Sequence, residues 1–129
     1  MAAKAIPDGY HSVTTYLIVK GADRAIDFYK KVFGAAQPIR MDGPNGTVGH
    51  AEIEIDGSTI MLADEFPDMG FRGPKSLGGT GVSLHVYVQD VDACFNRAFA
   101  ASHFENSQNV KVSWAQVSNT SGPQPNPDK

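Results

Sequence analysis

Between positions 22 and 33, apolar residues fall on one stripe of a helix: Ala25, Ile26, Tyr29, Val32 and Phe33 recur at three- and four-residue spacings. Asp23 lies at the positive N-terminal end of this helix, and Lys30 and Lys31 lie at its negative C-terminal end. Gly34 then supplies a left-handed stop. Before the helix, Pro7-Asp8-Gly9 signals a turn, and residues 13–19, rich in β-branched and aromatic side chains, predict a first strand. After it, a short strand is expected near residues 37–41, ending at the turn formers Asp42-Gly43-Pro44-Asn45-Gly46. Residues 48–55 alternate cleanly, with Ala51, Ile53 and Ile55 on one face and His50, Glu52 and Glu54 on the other. Asp56-Gly57 reads as a two-residue primed turn into a strand over residues 58–63. The pattern is β-α-β-β-β, with no room for helix between residues 48 and 63.

The second half repeats the opening weakly. Setting Val19 on Val88 also sets Asp23 on Asp92, Ile26 on Phe95 and Tyr29 on Ala98, so one supersecondary unit occurs twice. A glycine- and proline-rich connection over residues 65–81 separates the copies, and its Phe66, Met69 and Phe71 suggest that part of it packs down. Residues 82–88 alternate again and predict a fifth strand. A second helix follows over about residues 91–102, capped by Asp90 or Asp92. Residues 110–117 could add one more strand, whereas 118–129, rich in Ser, Asn and Pro, read as a tail. The expectation is a single α+β domain over residues 1–129: a βαβββ module (1–64), the connection (65–81), an incomplete second βα(β) module (82–117) and the tail. Its sheet is mixed and curved, with helices on the outer face.

Composition mostly excludes. A net charge of −3 offers no basic footprint for nucleic acid or an anionic membrane surface. No apolar run approaches the roughly 20 residues of a membrane-spanning helix, and no signal pattern opens the chain. The single cysteine, Cys94, rules out an intramolecular disulfide or a CxxC zinc site and reads as a buried packing residue. A reducing cytoplasm is the expected compartment.

The phrases Thr15-Tyr16-Leu17-Ile18-Val19-Lys20-Gly21-Ala22, Gly49-His50-Ala51-Glu52-Ile53, Ile60-Met61-Leu62-Ala63-Asp64-Glu65 and Ser83-Leu84-His85-Val86-Tyr87-Val88, in this order and spacing, resemble the vicinal oxygen chelate superfamily. That group includes glyoxalase I, bleomycin-resistance proteins, fosfomycin-resistance enzymes and extradiol dioxygenases, and the phrasing looks most like its PhnB-type branch. The resemblance spans about residues 8–101 and does not extend into 102–129. It implies two βαβββ modules, each a curved half-barrel, around a concave site. Metal-dependent members draw ligands from four strands. Lining up Ile26-Asp27-Phe28-Tyr29 puts Thr14, Met61 and Ser83 at three of those positions, and the fourth lies in a strand this chain does not show. Two hydroxyls and a thioether are poor ligands for a hard or borderline divalent ion, so the family's metal site is not expected here.

With the helices on the apolar face, the opposite face displays Thr14, Tyr16, His50, Glu52, Met61, Ser83, His85 and Tyr87, the candidate lining of a small-molecule pocket. Two histidines and a carboxylate, His50, Glu52 and His85, form an alternative divalent-metal triad if strands three and five converge. Asp64-Glu65 could serve acid–base chemistry, although strand-end acids are usually solvated. Three readings follow. The first is a metal-free small-molecule binding module of the bleomycin-resistance kind. The second is a metal-dependent lyase or dioxygenase of the glyoxalase kind. The third is a functionally eroded fragment whose C-terminal stretch records a frameshift or recombination. A homodimer is expected in which a second copy covers the exposed sheet, with Thr14 and Met61 facing the partner.

Overall fold

The computed structural model describes residues 3–105. Strand β1 (Thr15–Val19) leads into helix α1 (Ala22–Phe33), followed by β2 (Ala36–Asp42), β3 (Val48–Ile55) and β4 (Ser58–Asp64). They form a four-stranded mixed sheet in the order β1-β4-β3-β2. β1 runs parallel to β4, while β3 pairs antiparallel with both β2 and β4. The βαβββ expectation holds, and residues 48–63 contain no helix.

The turns follow from local chemistry. Asp56 and Gly57 adopt φ values of 46° and 84°, the left-handed pair that a primed two-residue hairpin requires. Gly34 closes α1 at φ 65° and returns its N–H to Lys30. The start of α1 is capped from a distance. Asp64, at the end of β4, accepts hydrogen bonds from the N–H groups of Gly21 (2.8 Å) and Ala22 (2.9 Å) through Oδ1. Its Oδ2 accepts from the Val48 N–H at 2.8 Å. One carboxylate therefore joins α1, β3 and β4 and satisfies donors that a helix N-terminus leaves open. Asp64 is thus a structural ligand of the backbone, not a solvated acid. Asp23 turns outward to pair with Arg40 of β2.

Two clusters share α1. Ala22, Ala25 and Ile26 pack on the sheet against Val48, Ala51, Ile53 and Leu62. Phe28 and Val32 pack on the far side against Cys94, Ala98 and Ala101 of a later helix, α3 (Val91–Glu105). Tyr29 and Phe33 touch both clusters. Ile26, Val32, Val48, Ile53 and Leu62 are essentially excluded from water, each contributing about 1.5–3 kcal/mol of apolar burial. α3 is capped by Asp90, whose Oδ1 accepts the Ala93 N–H at 3.0 Å. The Arg97 guanidinium reaches across to donate to the Val32 carbonyl of α1 from Nε (3.2 Å) and Nη2 (3.1 Å). Cys94 is buried, as expected.

Two expectations need correction. Residues 82–88 do not form the fifth strand: they are exposed and lie outside the four-stranded sheet. A strand needs a neighbour to bond to, and this segment pairs with neither of the sheet's edge strands, β1 and β2. Within the connection, the aromatic residues stay out in water, with Phe66 and Phe71 only pairing with each other in an isolated bridge. Contact with the sheet is made instead by Gly73, which precedes a short helix, α2 (Pro74–Leu77). A Cβ at Gly73 would lie 2.9 Å from the Ile18 carbonyl oxygen, so only glycine lets the loop approach β1 this closely. The strand expected over 110–117 and the tail over 118–129 lie outside the described residues.

Candidate functional site

The face of the sheet away from α1 is the open one. Cross-strand pairs point to the same face, and the register places Tyr16 beside Met61, Met61 beside Glu52, and Glu52 beside Ile39. His50 stands opposite Met41 in the neighbouring row. Tyr16, Ile39 and Met41 expose 46%, 38% and 61% of their surface, an apolar content that a solvated sheet face does not call for.

A polar chain crosses this face. The Tyr10 hydroxyl donates to Glu52 Oε1. Glu52 Oε2 lies 3.0 Å from His50 Nε2, and His50 Nδ1 lies 2.8 Å from the Tyr16 hydroxyl. An ionised carboxylate can only accept, so Nε2 carries a proton, and in the neutral ring Nδ1 accepts from Tyr16. Glu52 is 7% exposed. A carboxylate buried to this degree is costly unless hydrogen-bonded. The bonds from His50 and from Tyr10 hold its carboxyl below the usual glutamate range against the opposing effect of burial. The same bond to Glu52, with lesser help from burial, raises the Tyr10 phenol. Burial first, and the Glu52 charge second, raise the Tyr16 phenol. At neutral pH both tyrosines are therefore donors and Glu52 is a fixed acceptor.

Beside this chain lies a cavity of about 380 Å³. Its floor is Thr14 and Met61, and its roof is the N-terminal segment: Ala5, Ile6, Pro7, Tyr10, His11 and Ser12. Gly9, at φ 85°, and the hydrogen bond from the Tyr10 N–H to the Pro7 carbonyl (3.2 Å) turn that segment back over the sheet.

Of the residues proposed from sequence, Tyr16, His50 and Glu52 meet in one hydrogen-bonded chain, and Thr14 and Met61 share the adjoining cavity. Ser83, His85 and Tyr87 do not join them. They lie on the exposed 82–88 segment, where the His85 and Tyr87 rings contact each other at 4.9 Å. The triad of His50, Glu52 and His85 consequently does not assemble, and among the described residues no three His, Cys, Asp or Glu side chains are grouped to hold a metal ion. Of the residues that the family resemblance sets at metal-ligand positions, Thr14 and Met61 line the cavity with a hydroxyl and a thioether, and Ser83 is not part of it. This donor set does not fit a divalent ion. Tyr10 escaped the sequence reading, in which His11 carries no argument because it lies at an element end. The partner of Tyr10 is 42 residues away, and only the turn signal at Pro7-Asp8-Gly9 hinted that the segment folds back.

Comparison with known proteins agrees with this architecture. Uncharacterized proteins of Mycobacterium bovis and Mycobacterium tuberculosis are each 46% identical to the chain over 93 residues, or 70% of its length. The matched region spans 61% and 55% of those relatives, so the chain corresponds to little more than half of each. A gene product of Arabidopsis thaliana of known structure is 26% identical and superposes with a TM-score of 0.60, over 71% of this chain and 73% of that one. The PhnB protein of Bacillus cereus, 23% identical with a TM-score of 0.53 over 70% and 72% of the two chains, shares the fold. Among the described residues, no helix is long and apolar enough to cross a membrane. With residues 10–107 matching the family as a whole, the chain belongs to the Glyoxalase/Bleomycin resistance protein/Dioxygenase superfamily.

Proposed function

We propose that this protein binds a small organic molecule on the open face of its sheet, without the family's metal site, as a bleomycin-resistance-like binding module does. The observation that carries this reading is the placement of the Tyr10–Glu52–His50–Tyr16 chain beside a cavity floored by Thr14 and Met61. A concave apolar surface with a few convergent polar groups is the usual form of such a site. The residues at the metal-ligand positions lend no support to a glyoxalase-type metal-dependent lyase or dioxygenase. A second copy of the chain covers what one copy leaves open. Tyr16, Ile39 and Met41 are exposed beside the cavity, and a two-fold contact would bury each patch against its equivalent, with Thr14 and Met61 facing the partner. A reducing cytoplasm suits the free, buried Cys94 thiol.

The test is a fragment screen followed by NMR on protein carrying labelled methionine methyl groups. Binding at this site perturbs Met61 and Met41 and leaves Met69, on the connecting loop, unmoved. Hits that shift only Met69, or none that saturate, refute the site. Light scattering at micromolar concentration checks the dimer, and a stable, soluble monomer would refute it.

A further inference from the structure

Tyr10 brings a phenol to this site from outside the sheet. Its phenol ends on Oε1 of Glu52, the oxygen of that buried carboxylate that His50 does not engage. The rest of its segment roofs the cavity. Among the described residues, no other side-chain hydrogen bond or ion pair ties the segment to the sheet. Residues 3–9 and 11–13 are exposed, and the Lys4–Asp8 ion pair lies within the segment and fully in water. A loosely held segment that inserts one aromatic hydroxyl into a buried acceptor is built to exchange with a ligand bearing the same group.

We propose that residues 5–12 form a displaceable lid and that Tyr10 occupies the place of a phenolic ligand, a neutral aromatic ring whose hydroxyl donates to Glu52. This rests on the reading of the open face as a small-molecule site and names the chemical class it takes. Three features select that class. Glu52, kept ionised by His50, accepts but cannot donate, so the incoming group must bring a proton. Among the described residues, no lysine or arginine side chain pairs with Glu52 or lines the cavity, so no permanent cation there offsets the charge of an anionic ligand. Met61 and the ring of Tyr16, adjacent in the sheet register, offer polarizable and aromatic surface for a flat ring. The place that Tyr10 vacates beside Glu52 and Met61 suits a compound of one ring, the size of the phenol it replaces. Displacement is an exchange of one phenol–carboxylate hydrogen bond for another. The Tyr10 hydroxyl returns to water, and no covalent bond forms or breaks.

The experiment compares phenol with its methyl ether, anisole, by titration monitored at the Met61 methyl group in the full chain. Phenol is expected to bind at least about tenfold more tightly than anisole, because only phenol can donate to the charged acceptor. Tyr10→Phe removes the internal competitor and should tighten phenol binding about three- to tenfold, since the fraction of open, competent protein rises. Glu52→Gln should erase the preference for phenol over anisole, with a dispersed amide spectrum confirming that the variant is folded. Equal affinity for phenol and anisole, or no gain in Tyr10→Phe, would overturn the phenolic assignment while leaving the small-molecule site intact. Failure of both probes to perturb Met61 would overturn the assignment and count against the site itself.

Discussion

The two copies of the repeated unit have similar patterns and different outcomes. In the first, the alternating strand β1 finds β4 alongside, and α1 is held by the sheet on one side and by α3 on the other. In the second, residues 82–88 alternate just as well yet remain exposed and, among the described residues, unpaired, and α3 buries Cys94, Ala98 and Ala101 while Phe99 is 52% exposed. Alternation tells which face a strand would bury. It does not supply the neighbour whose backbone groups complete the ladder, nor the surface that receives the apolar side. The same lesson applies to the site: the sheet residues His50, Glu52, Tyr16 and Met61 converge because the ladder sets their register, whereas His85 and Tyr87, without a ladder, are not brought to them.

The sharpest way to break this comparison is a matched pair of leucines. Leu62 in β4 is completely buried, whereas Leu84 in the second copy is 44% exposed. Leu62→Ala should cost about 2–5 kcal/mol, the loss of transfer energy plus a cavity that a packed sheet cannot close. Leu84→Ala should change stability by no more than about 0.5 kcal/mol. Urea denaturation of both variants measures the difference. Equal losses would mean that residues 82–88 are packed in solution and that the second copy is completed there.

Next in size is the carboxylate that ties the first copy together. Asp64→Ala leaves the N–H groups of Gly21, Ala22 and Val48 without their acceptor. Hydrogen bonds to a charged group and the loss of a helix cap argue for about 2–3 kcal/mol. Asp64→Asn keeps one acceptor oxygen and should recover about half of that. The denaturant midpoint should move while the slope stays constant, because the same surface is exposed on unfolding. A loss in Asp64→Ala no greater than in a surface control would show that water satisfies these donors equally well.

Much of this was legible in the sequence, and what was not has a physical cause. The stripe Ala25, Ile26, Tyr29, Val32, Phe33, the stop at Gly34 and the turn at Asp56-Gly57 are local signals, and each is found where it was expected. Tyr16, His50, Glu52 and Met61 could be placed on one face because a strand has a period of two, and a family resemblance supplied the sheet that joins them. The misses are all long-range. Asp64 read as a solvated strand-end acid because its three partners lie at positions 21, 22 and 48. Tyr10 was given no role because nothing local points to Glu52, 42 residues away. Phe66 and Phe71 looked like the sticky part of the connection, but the close approach to β1 needed the absence of a side chain at Gly73.

The smallest expected effect sharpens the comparison around the first copy, between a glutamate on the sheet and one in the connection. Glu52 is lowered below the ordinary value of 4.5 first by its bond from His50 and then by that from Tyr10. Glu65 is lowered first by Ser76 and then by the Gly73 N–H, which donates at 2.7 Å. A carboxylate with a depressed pKa in the folded state contributes stability that is fully present above its unfolded value and is lost as pH falls through its folded value. The unfolded chain binds the proton first, so stability falls on acidification below about 4.5. For one proton the slope can reach about 1.4 kcal/mol per pH unit and no more. Glu52→Gln and Glu65→Gln should each flatten the acid limb of a stability-against-pH curve relative to wild type, and the double variant should flatten it further, because the two sites share no partner. The glutamine substitutions also remove charge-assisted bonds at neutral pH, so the readout is the slope and not the absolute stability. If Glu65→Gln flattens the curve and Glu52→Gln does not, the loop anchor is formed in solution while the bonds from His50 and Tyr10 to Glu52 are mostly open.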